Sequence, residues 1–268
     1  MNFTFYLKKS YNRLRFTLCA QENSFYLFFY KYLYTPPKNT LSEFLDQYSK
    51  SKDHVVFLQI GANDGFIYDP LQKFIKRDDW EGVMVEPQPY VHDNLLTKIH
   101  AKRPEIQTVN AALAENDGWA ELYTLAVSKE RWANGLSSFN KKVLIDRIKD
   151  GTIQKKAKKE GLKLPDPTDY DAWIEPIKIK TISPSSLLAK FKGKKINLLA
   201  IDTEGYDFEI IKLLEIKNLL PEVIIYEEVN FDTNTKKECR SYFPLSPNLR
   251  HQVPTPNLPE KFHLPKGC

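Results

Sequence analysis

The residues best suited to chemistry begin with an acidic glycine loop at positions 59–65, Gln-Ile-Gly61-Ala-Asn63-Asp64-Gly65. Glycines in a strand-to-helix turn let a ligand approach the backbone closely. The third glycine of a dinucleotide-binding loop is missing, and Asp64 would repel a pyrophosphate. The loop therefore favours a ligand with a cationic end, such as S-adenosylmethionine, which carries an ammonium and a sulfonium. The alternative is a tight turn in which Asp64 is only a cap.

Two polar residues follow the next predicted strands. Glu86 lies 25 residues after Gly61, where a carboxylate can accept hydrogen bonds from both ribose hydroxyls of an adenosine ligand. Pro87 fixes the loop that follows it. Asn110 comes after the third predicted strand, and its amide could reach an adenine edge, although asparagine is also common in turns.

A third group of polar residues is the segment Asp202-Thr-Glu204-Gly-Tyr-Asp207. Asp202 and Glu204 are two residues apart at a strand end, so their side chains can share one side. Asp207 falls in the first turn of a predicted helix, where a carboxylate is favourable in any case. These acids could bind a hard divalent cation such as Mg²⁺, or one of them could deprotonate a hydroxyl. The spacing leaves both open.

The elements that must position these residues form an α/β pattern. Apolar strands are predicted at 55–60, 82–86, 106–113, 196–202 and 222–227, with helices at 42–48, 70–75, 91–99 and 208–214. Short apolar strands that alternate with helices predict a mostly parallel sheet covered by helices on both faces. Ligands bind beyond the carboxyl ends of such strands, where the three polar groups lie.

A long insertion separates the third and fourth predicted strands. It contains alternating strands at 119–124 and 177–182, a basic segment at 141–163, and a helix start at Ser183. The basic segment is predicted to be partly helical, as a solvated helix or a flap that could cover the acceptor. We divide the chain into an N-terminal segment 1–50, a main domain 51–243, and a proline-rich, extended tail 244–268.

The formal charge of +5 is unevenly distributed. Residues 1–40 carry +5, residues 141–163 carry +6, and the remainder carries −6. An acidic body with two basic attachments does not favour a nucleic-acid partner. Three separated cysteines predict a reduced, cytoplasmic setting. The oligomeric state is not indicated.

Residues 1–40 also hold 12 of the 34 aromatic residues. Aromatic and basic residues together suit a membrane interface, so peripheral membrane contact through this segment is one interpretation. The interpretation that we favour is a helix whose aromatic stripe packs on the main domain. No apolar run is long enough for a membrane-spanning helix.

Five segments resemble the FkbM-type methyltransferase family in order and spacing, over residues 55–230. They are FLQIGANDG (57–65), VMVEPQP (83–89), NAAL (110–113), LLAIDTEGYDFEII (198–211) and PEVIIYEEVN (221–230). The resemblance implies a Rossmann-like class I fold and S-adenosylmethionine-dependent methyl transfer to oxygen, often on a sugar of a glycan or glycosylated metabolite. It implies that Glu86 binds the ribose and that Asp202 and Glu204 face the transfer site, with Asp202 as base or metal ligand. The residues implied to lie beside the methionine part are Gly61, Asn63, Asp64 and Gly65.

Two features depart from the family pattern. The basic insert is long, and no strand pair that would close a seven-stranded sheet is recognisable after position 230. Two other functions therefore stay open. One is an RNA methyltransferase that holds phosphates with the insert, although the acidic body and the absence of an Asn-Pro-Pro-Tyr motif are against it. The other is a non-catalytic scaffold of a glycan-synthesis complex.

Overall fold

The computed structural model describes residues 3–228, 231–242, 251–252 and 263–264. Its centre is a five-stranded parallel sheet with the strand order β3-β2-β1-β7-β8. The strands of this sheet are β1 (Val56–Ile60), β2 (Glu81–Val85), β3 (Ile106–Val109), β7 (Leu198–Ile201) and β8 (Val223–Ile225). The predicted α/β architecture with a mostly parallel sheet is confirmed.

Helices cover both faces of the sheet because successive strand residues point to opposite sides. In β1, Val56 and Leu58 belong to one buried cluster, whereas Phe57 belongs to another on the opposite face. The helices in the described residues are α1 (Phe3–Ala20), α2 (Ser24–Phe28), α3 (Leu41–Lys50), α4 (Gln72–Arg77), α5 (Pro89–Val91), α6 (Thr97–Ile99), α7 (Arg131–Asn134), α8 (Lys141–Lys149), α9 (Thr152–Glu160), α10 (Tyr170–Trp173), α11 (Pro184–Leu188), α12 (Asp207–Leu213), α13 (Ile216–Leu219) and α14 (Thr233–Tyr242).

A second, three-stranded sheet lies beside the first. It consists of β4 (Ala112–Leu113), β5 (Gly118–Leu125) and β6 (Ile174–Ile182), in which β5 and β6 are antiparallel. The single strand predicted at 106–113 is therefore wrong. The chain leaves the central sheet after β3, and β4 pairs with β6 instead.

The insertion between β5 and β6 has its own small core. Leu144, Ile148 and Ile153 are buried in a cluster with Trp173, so the apolar sides of α8 and α9 face inward. Most of the lysines of α9 are exposed. Ser183 caps α11, as its sequence predicts, by accepting a hydrogen bond from the N–H of Ser186.

The N-terminal segment packs on the main body. Cys19 and Tyr26 are buried in the cluster that lies against α3 and α4. The Oε1 of Glu22 accepts a 2.8 Å ion pair from the Nζ of Lys76 and also pairs with Arg103. A π-helical turn, Phe29–Leu33, follows α2. No helix in the described part of the chain is long and apolar enough to cross a membrane.

The predicted extended tail lies largely outside the described residues. Its described part is one short antiparallel pair, β9 (His251–Gln252) and β10 (His263–Leu264). This pair forms a sheet of its own instead of extending the parallel sheet.

Candidate functional site

A cleft of about 2130 Å³ opens beyond the carboxyl ends of β1, β2 and β7. Pockets for a single small molecule usually measure about 300–1,000 Å³, so this cleft has room for a cofactor and a second substrate. The loops after the three strands form its inner wall. The N-terminal helix α1 and the insertion around α7 to α9 form its outer wall.

Gly61 brings two of these loops into contact. Its φ angle is +78°, and a Cβ atom at this position would lie 1.9 Å from the carbonyl oxygen of Asp202. No side chain fits there, so only glycine allows the loop after β1 to lie against the loop after β7. The N–H of Gly61 donates to the carbonyl oxygen of Val85, 2.9 Å away, which ties in the end of β2 as well.

Asp64 both caps the glycine loop and lines the cleft. It is 4% exposed, and its Oδ1 accepts hydrogen bonds of 3.0 Å from the N–H groups of Phe66 and Ile67. The same oxygen pairs with the Nη1 of Arg131 at 2.8 Å. Burial raises the pKa of Asp64, and the Arg131 guanidinium opposes that shift.

Glu86 joins the glycine loop to the loop after β2. It is 3% exposed; Oε2 accepts from the N–H of Asn63 and Oε1 from the N–H of Gln88, both at 2.9 Å. Burial raises the pKa of Glu86 to about 7, although these N–H groups act in the opposite direction. Because a carboxylate oxygen has two lone pairs, both oxygens can still accept from a ligand hydroxyl.

Asp202 and Glu204 are exposed on the cleft, at the end of β7. Asp207 differs from them because it is completely buried. Its Oδ2 accepts from the N–H and the hydroxyl of Thr203 at 3.0 and 2.7 Å, and its Oδ1 accepts from the N–H of Glu227 at 3.0 Å. Asp207 therefore holds the shape of the loop, in agreement with its predicted place in the first turn of a helix.

Two of the residues that were predicted to bind the cofactor, Gly65 and Asn110, contribute to the packing around the cleft and not to its surface. A Cβ at Gly65, where φ is +60°, would lie 2.7 Å from the Cδ1 of Leu96, so this glycine allows close packing. The Nδ2 of Asn110 donates to the carbonyl oxygens of Glu86 and Pro87 at 2.9 and 3.1 Å. Neither residue lines the cleft, whereas the other predicted site residues, Gly61, Asn63, Asp64, Glu86, Asp202 and Glu204, do so.

Arg131 is a cleft residue that sequence reasoning missed. It lies on α7, and its Nη1 also donates to the Oδ1 of Asn63 at 2.9 Å. Nearby, the Nε2 of Gln88 donates to the carbonyl oxygen of Asn134 at 3.0 Å. The insertion is thus bonded to the glycine loop and to the loop after β2. No motif around position 131 signals this contact, because it depends on how the insertion packs.

The predicted Mg²⁺ receives no support from the geometry. In the parts of the chain that the structure describes, no group of three or more His, Cys, Asp or Glu side chains could hold a metal ion. The third acid of the segment, Asp207, has its two oxygens engaged by Thr203 and Glu227. Asp202 and Glu204 remain as a pair on the cleft.

The parallel sheet, the glycine turn and a carboxylate after the second strand define a Rossmann-like methyltransferase fold. A family model for the methyltransferase FkbM domain matches residues 59–250, which is most of the chain. The protein belongs to the FkbM methyltransferase family. No curated protein matches the chain.

Methyltransferase chemistry of this family implies S-adenosylmethionine as the methyl donor, and the residues present fit it. Glu86 has the lone pairs that a ribose diol requires. Gln59 lines the cleft, and its Oε1 is buried without a hydrogen-bond partner among the described residues, so it is free to accept a hydrogen bond. Asp64, Asp202 and Glu204 supply negative charge for a cationic ligand.

Proposed function

We propose that the protein is an S-adenosylmethionine-dependent O-methyltransferase that acts on a hydroxyl of a sugar in a glycan or glycosylated metabolite. The observation that carries this proposal is the position of Asp202 and Glu204. Both carboxylates are exposed on the cleft, and the backbone of Asp202 touches Gly61 of the cofactor loop. A sugar hydroxyl beside these acids would lie next to the methyl donor.

The donor supplies a methyl group that is already activated on a sulfonium. The protein must align the acceptor oxygen with that methyl group and exclude water. A neutral hydroxyl is a weak nucleophile, so Asp202 would accept its proton as the new O–C bond forms and the C–S bond breaks. The proton then passes from the exposed carboxylate to solvent, and the thioether leaves as S-adenosylhomocysteine.

The test replaces the base without changing its shape. In the Asp202→Asn variant, kcat should fall by about 10²–10⁴-fold because proton removal is lost, while cofactor affinity changes by less than about threefold. Radiolabelled methyl transfer to sugar acceptors and calorimetry with S-adenosylhomocysteine measure the two quantities. Glu209→Gln is the matched control, because Glu209 is an exposed acid of α12 that does not line the cleft. Full activity of Asp202→Asn would refute its role as the base.

Calorimetry also separates the proposed enzyme from a non-catalytic scaffold of a glycan-synthesis complex. A scaffold would show no affinity for S-adenosylmethionine or S-adenosylhomocysteine. The Oε1 of Gln59 favours the enzyme, because it is a buried acceptor of a cleft-lining residue that has no hydrogen-bond partner among the described residues.

We also propose peripheral contact with an anionic lipid surface through residues 1–40. Part of the aromatic stripe is buried, but several large apolar side chains around the π-helical turn are exposed. They are Phe25, Phe28, Phe29, Tyr32 and Leu33, of which Phe25 and Tyr32 are 71% and 65% exposed. Lys31 lies among them, and both Lys31 and Lys38 are exposed and do not line the cleft. Aromatic and basic groups together suit an anionic interface.

A further inference from the structure

The two walls of the cleft carry opposite charge. The inner wall, built from the loops after β1, β2 and β7, presents the carboxyl groups of Asp69, Glu86, Asp202 and Glu204, in addition to Asp64, which pairs with Arg131. A site of this sign attracts the ammonium and sulfonium of the methyl donor.

The outer wall presents basic side chains from α1, α8 and α9: Lys8, Lys9, Arg13, Arg147 and Lys156. Two acids of the insertion, Glu130 and Glu160, also line this part of the cleft. Lys9 is ion-paired with Glu130, and Lys156 lies over the ring of Trp132 at 6.0 Å.

Three cations of this wall remain for a ligand. Lys8, Arg13 and Arg147 make no ion pair within 4 Å among the described residues. Lys129 and Arg131 also line the cleft, but carboxylates of Glu175 and Asp64 already hold them. Lys98 of α6 also lines the cleft, is exposed and makes no ion pair within 4 Å among the described residues, so three of these four unpaired cations lie on the outer wall.

We propose that the acceptor carries an anionic group, a phosphate or a carboxylate, and that Lys8, Arg13 and Arg147 bind it while a sugar hydroxyl lies at Asp202. This inference rests on the proposed function, and it adds that the acceptor is negatively charged. Opposite fields on the two walls direct a cationic donor and an anionic acceptor to their own halves of one cleft. A neutral acceptor would give the three cations no partner.

The wall suits a small anionic sugar better than a nucleic acid. Glu130 and Glu160 interrupt it, and Asp202 and Glu204 lie on the opposite side, so a chain of phosphates would meet acids on both walls. The lysines that point away from the cleft on α9 are not part of this wall. They include Lys155, Lys158 and Lys159, which are exposed.

The test compares binding of one sugar with and without charge. The full-length protein, saturated with S-adenosylhomocysteine, is titrated by calorimetry with glucose, glucose 1-phosphate and glucuronate at low and high salt. At least one anionic sugar should bind about tenfold more tightly than glucose, and the advantage should shrink with salt. Comparison of the titrations with glucose 1-phosphate and with glucuronate shows whether the protein prefers a phosphate or a carboxylate.

The variant Lys8→Gln/Arg13→Gln/Arg147→Gln should lose the preference for the anion. The matched control Lys155→Gln/Lys158→Gln/Lys159→Gln removes the same number of charges outside the cleft and should keep it. The three single substitutions are titrated as well, and each should weaken anion binding by about two- to fivefold. They keep the test decisive if the triple variant is unstable.

Three results would overturn the inference. The first is equal affinity of the wild-type protein for glucose and both anions, and the second is equal loss in the control variant. The third is a short single-stranded RNA that binds more tightly than any sugar and depends on the same three cations.

Methyl transfer to neutral glycans is assayed separately. Its absence together with absent cofactor binding would refute the proposed function, whereas its presence without an anion preference would refute only this inference.

Discussion

Glu86 is a carboxyl group whose charge changes near neutral pH. Burial raises its pKa to about 7 in the folded protein, so between its ordinary pKa and about 7 the folded state binds more protons than the unfolded state. Its contribution to the free energy of unfolding therefore decreases as the pH rises through this window. Binding of a ribose diol has the opposite dependence, because two hydroxyl donors favour the ionised carboxylate.

We expect the affinity for S-adenosylhomocysteine to increase about tenfold between about pH 6 and about pH 8, as Glu86 ionises. The Glu86→Gln variant should bind more weakly and with little dependence on pH. Calorimetric dissociation constants over this range measure both effects, and Glu209→Gln should keep the wild-type slope. A wild-type affinity that does not change with pH would contradict the role of Glu86.

At the scale of elements, α7 is held to the glycine loop mainly by one side chain. The Arg131 guanidinium reaches both Asn63 and Asp64, at 2.9 and 2.8 Å. The carboxyl of Asp64 is buried, and it keeps its N–H donors from Phe66 and Ile67 when Arg131 is removed. Loss of the arginine should therefore release α7 and leave the loop folded.

In the Arg131→Met variant, the amides of α7 should exchange with solvent about tenfold faster, which corresponds to about 1.4 kcal/mol of lost local stability. Exchange in β1 and β7 should stay unchanged. Hydrogen exchange followed by mass spectrometry measures both regions. Lys149→Met, at an exposed position of α8, is the control and should leave α7 as it is. Unchanged exchange in α7 of the Arg131 variant would show that other contacts hold the helix.

The apolar runs that became β1, β2, β7 and β8 could be recognised in the sequence because fully buried parallel strands are nearly continuous in hydrophobicity. Their carboxyl ends then placed the glycine loop, Glu86 and Asp202 at one edge of the sheet. The break after β3 could not be recognised. Neither glycine nor proline marks it, and the residue at the break, Asn110, is bonded to the loop after β2, which is distant in the sequence.

The residues of the outer wall could not be predicted from the sequence either. Its residues come from α1 and the insertion, and their approach to the glycine loop depends on tertiary packing, such as that of Leu144 and Ile148 around Trp173. The distribution of charge along the sequence identified both basic segments, but it did not indicate that both of them lie at the same cleft. Periodicity predicts which side of a helix is buried, but it does not predict its neighbour.

At the scale of the whole molecule, an ionic junction sets the direction of the N-terminal segment. Glu22 pairs with Lys76 and Arg103, whose side chains are nearly buried, and Tyr26, four residues further along the chain, is buried as well. Other apolar groups of the segment, including Phe25 and Tyr32, face outward. A lipid surface would meet these groups without disturbing the core.

We expect the protein to sediment with vesicles that contain phosphatidylglycerol and much less with phosphatidylcholine alone, because Lys31 and Lys38 are exposed outside the cleft. Phe25→Ser/Tyr32→Ser/Leu33→Ser should lower the partition coefficient by about tenfold or more, since each change removes apolar area from the interface. Trp119→Ser/Leu220→Ser removes exposed apolar groups elsewhere and is the control. Absence of wild-type sedimentation with both vesicles would rule out the contact.

The helix α1 lies before the segment that defines the family, residues 59–250, and yet it lines the cleft. On the proposed function, the loops that would face the methyl donor all lie within that segment. The part of the acceptor wall that α1 contributes can therefore vary without any change in those loops. A chimaera with other cleft-facing side chains at Lys8, Lys9 and Arg13 keeps Phe16 and Cys19 packed on the core, so new acceptors can be sought by redesigning one face of a helix.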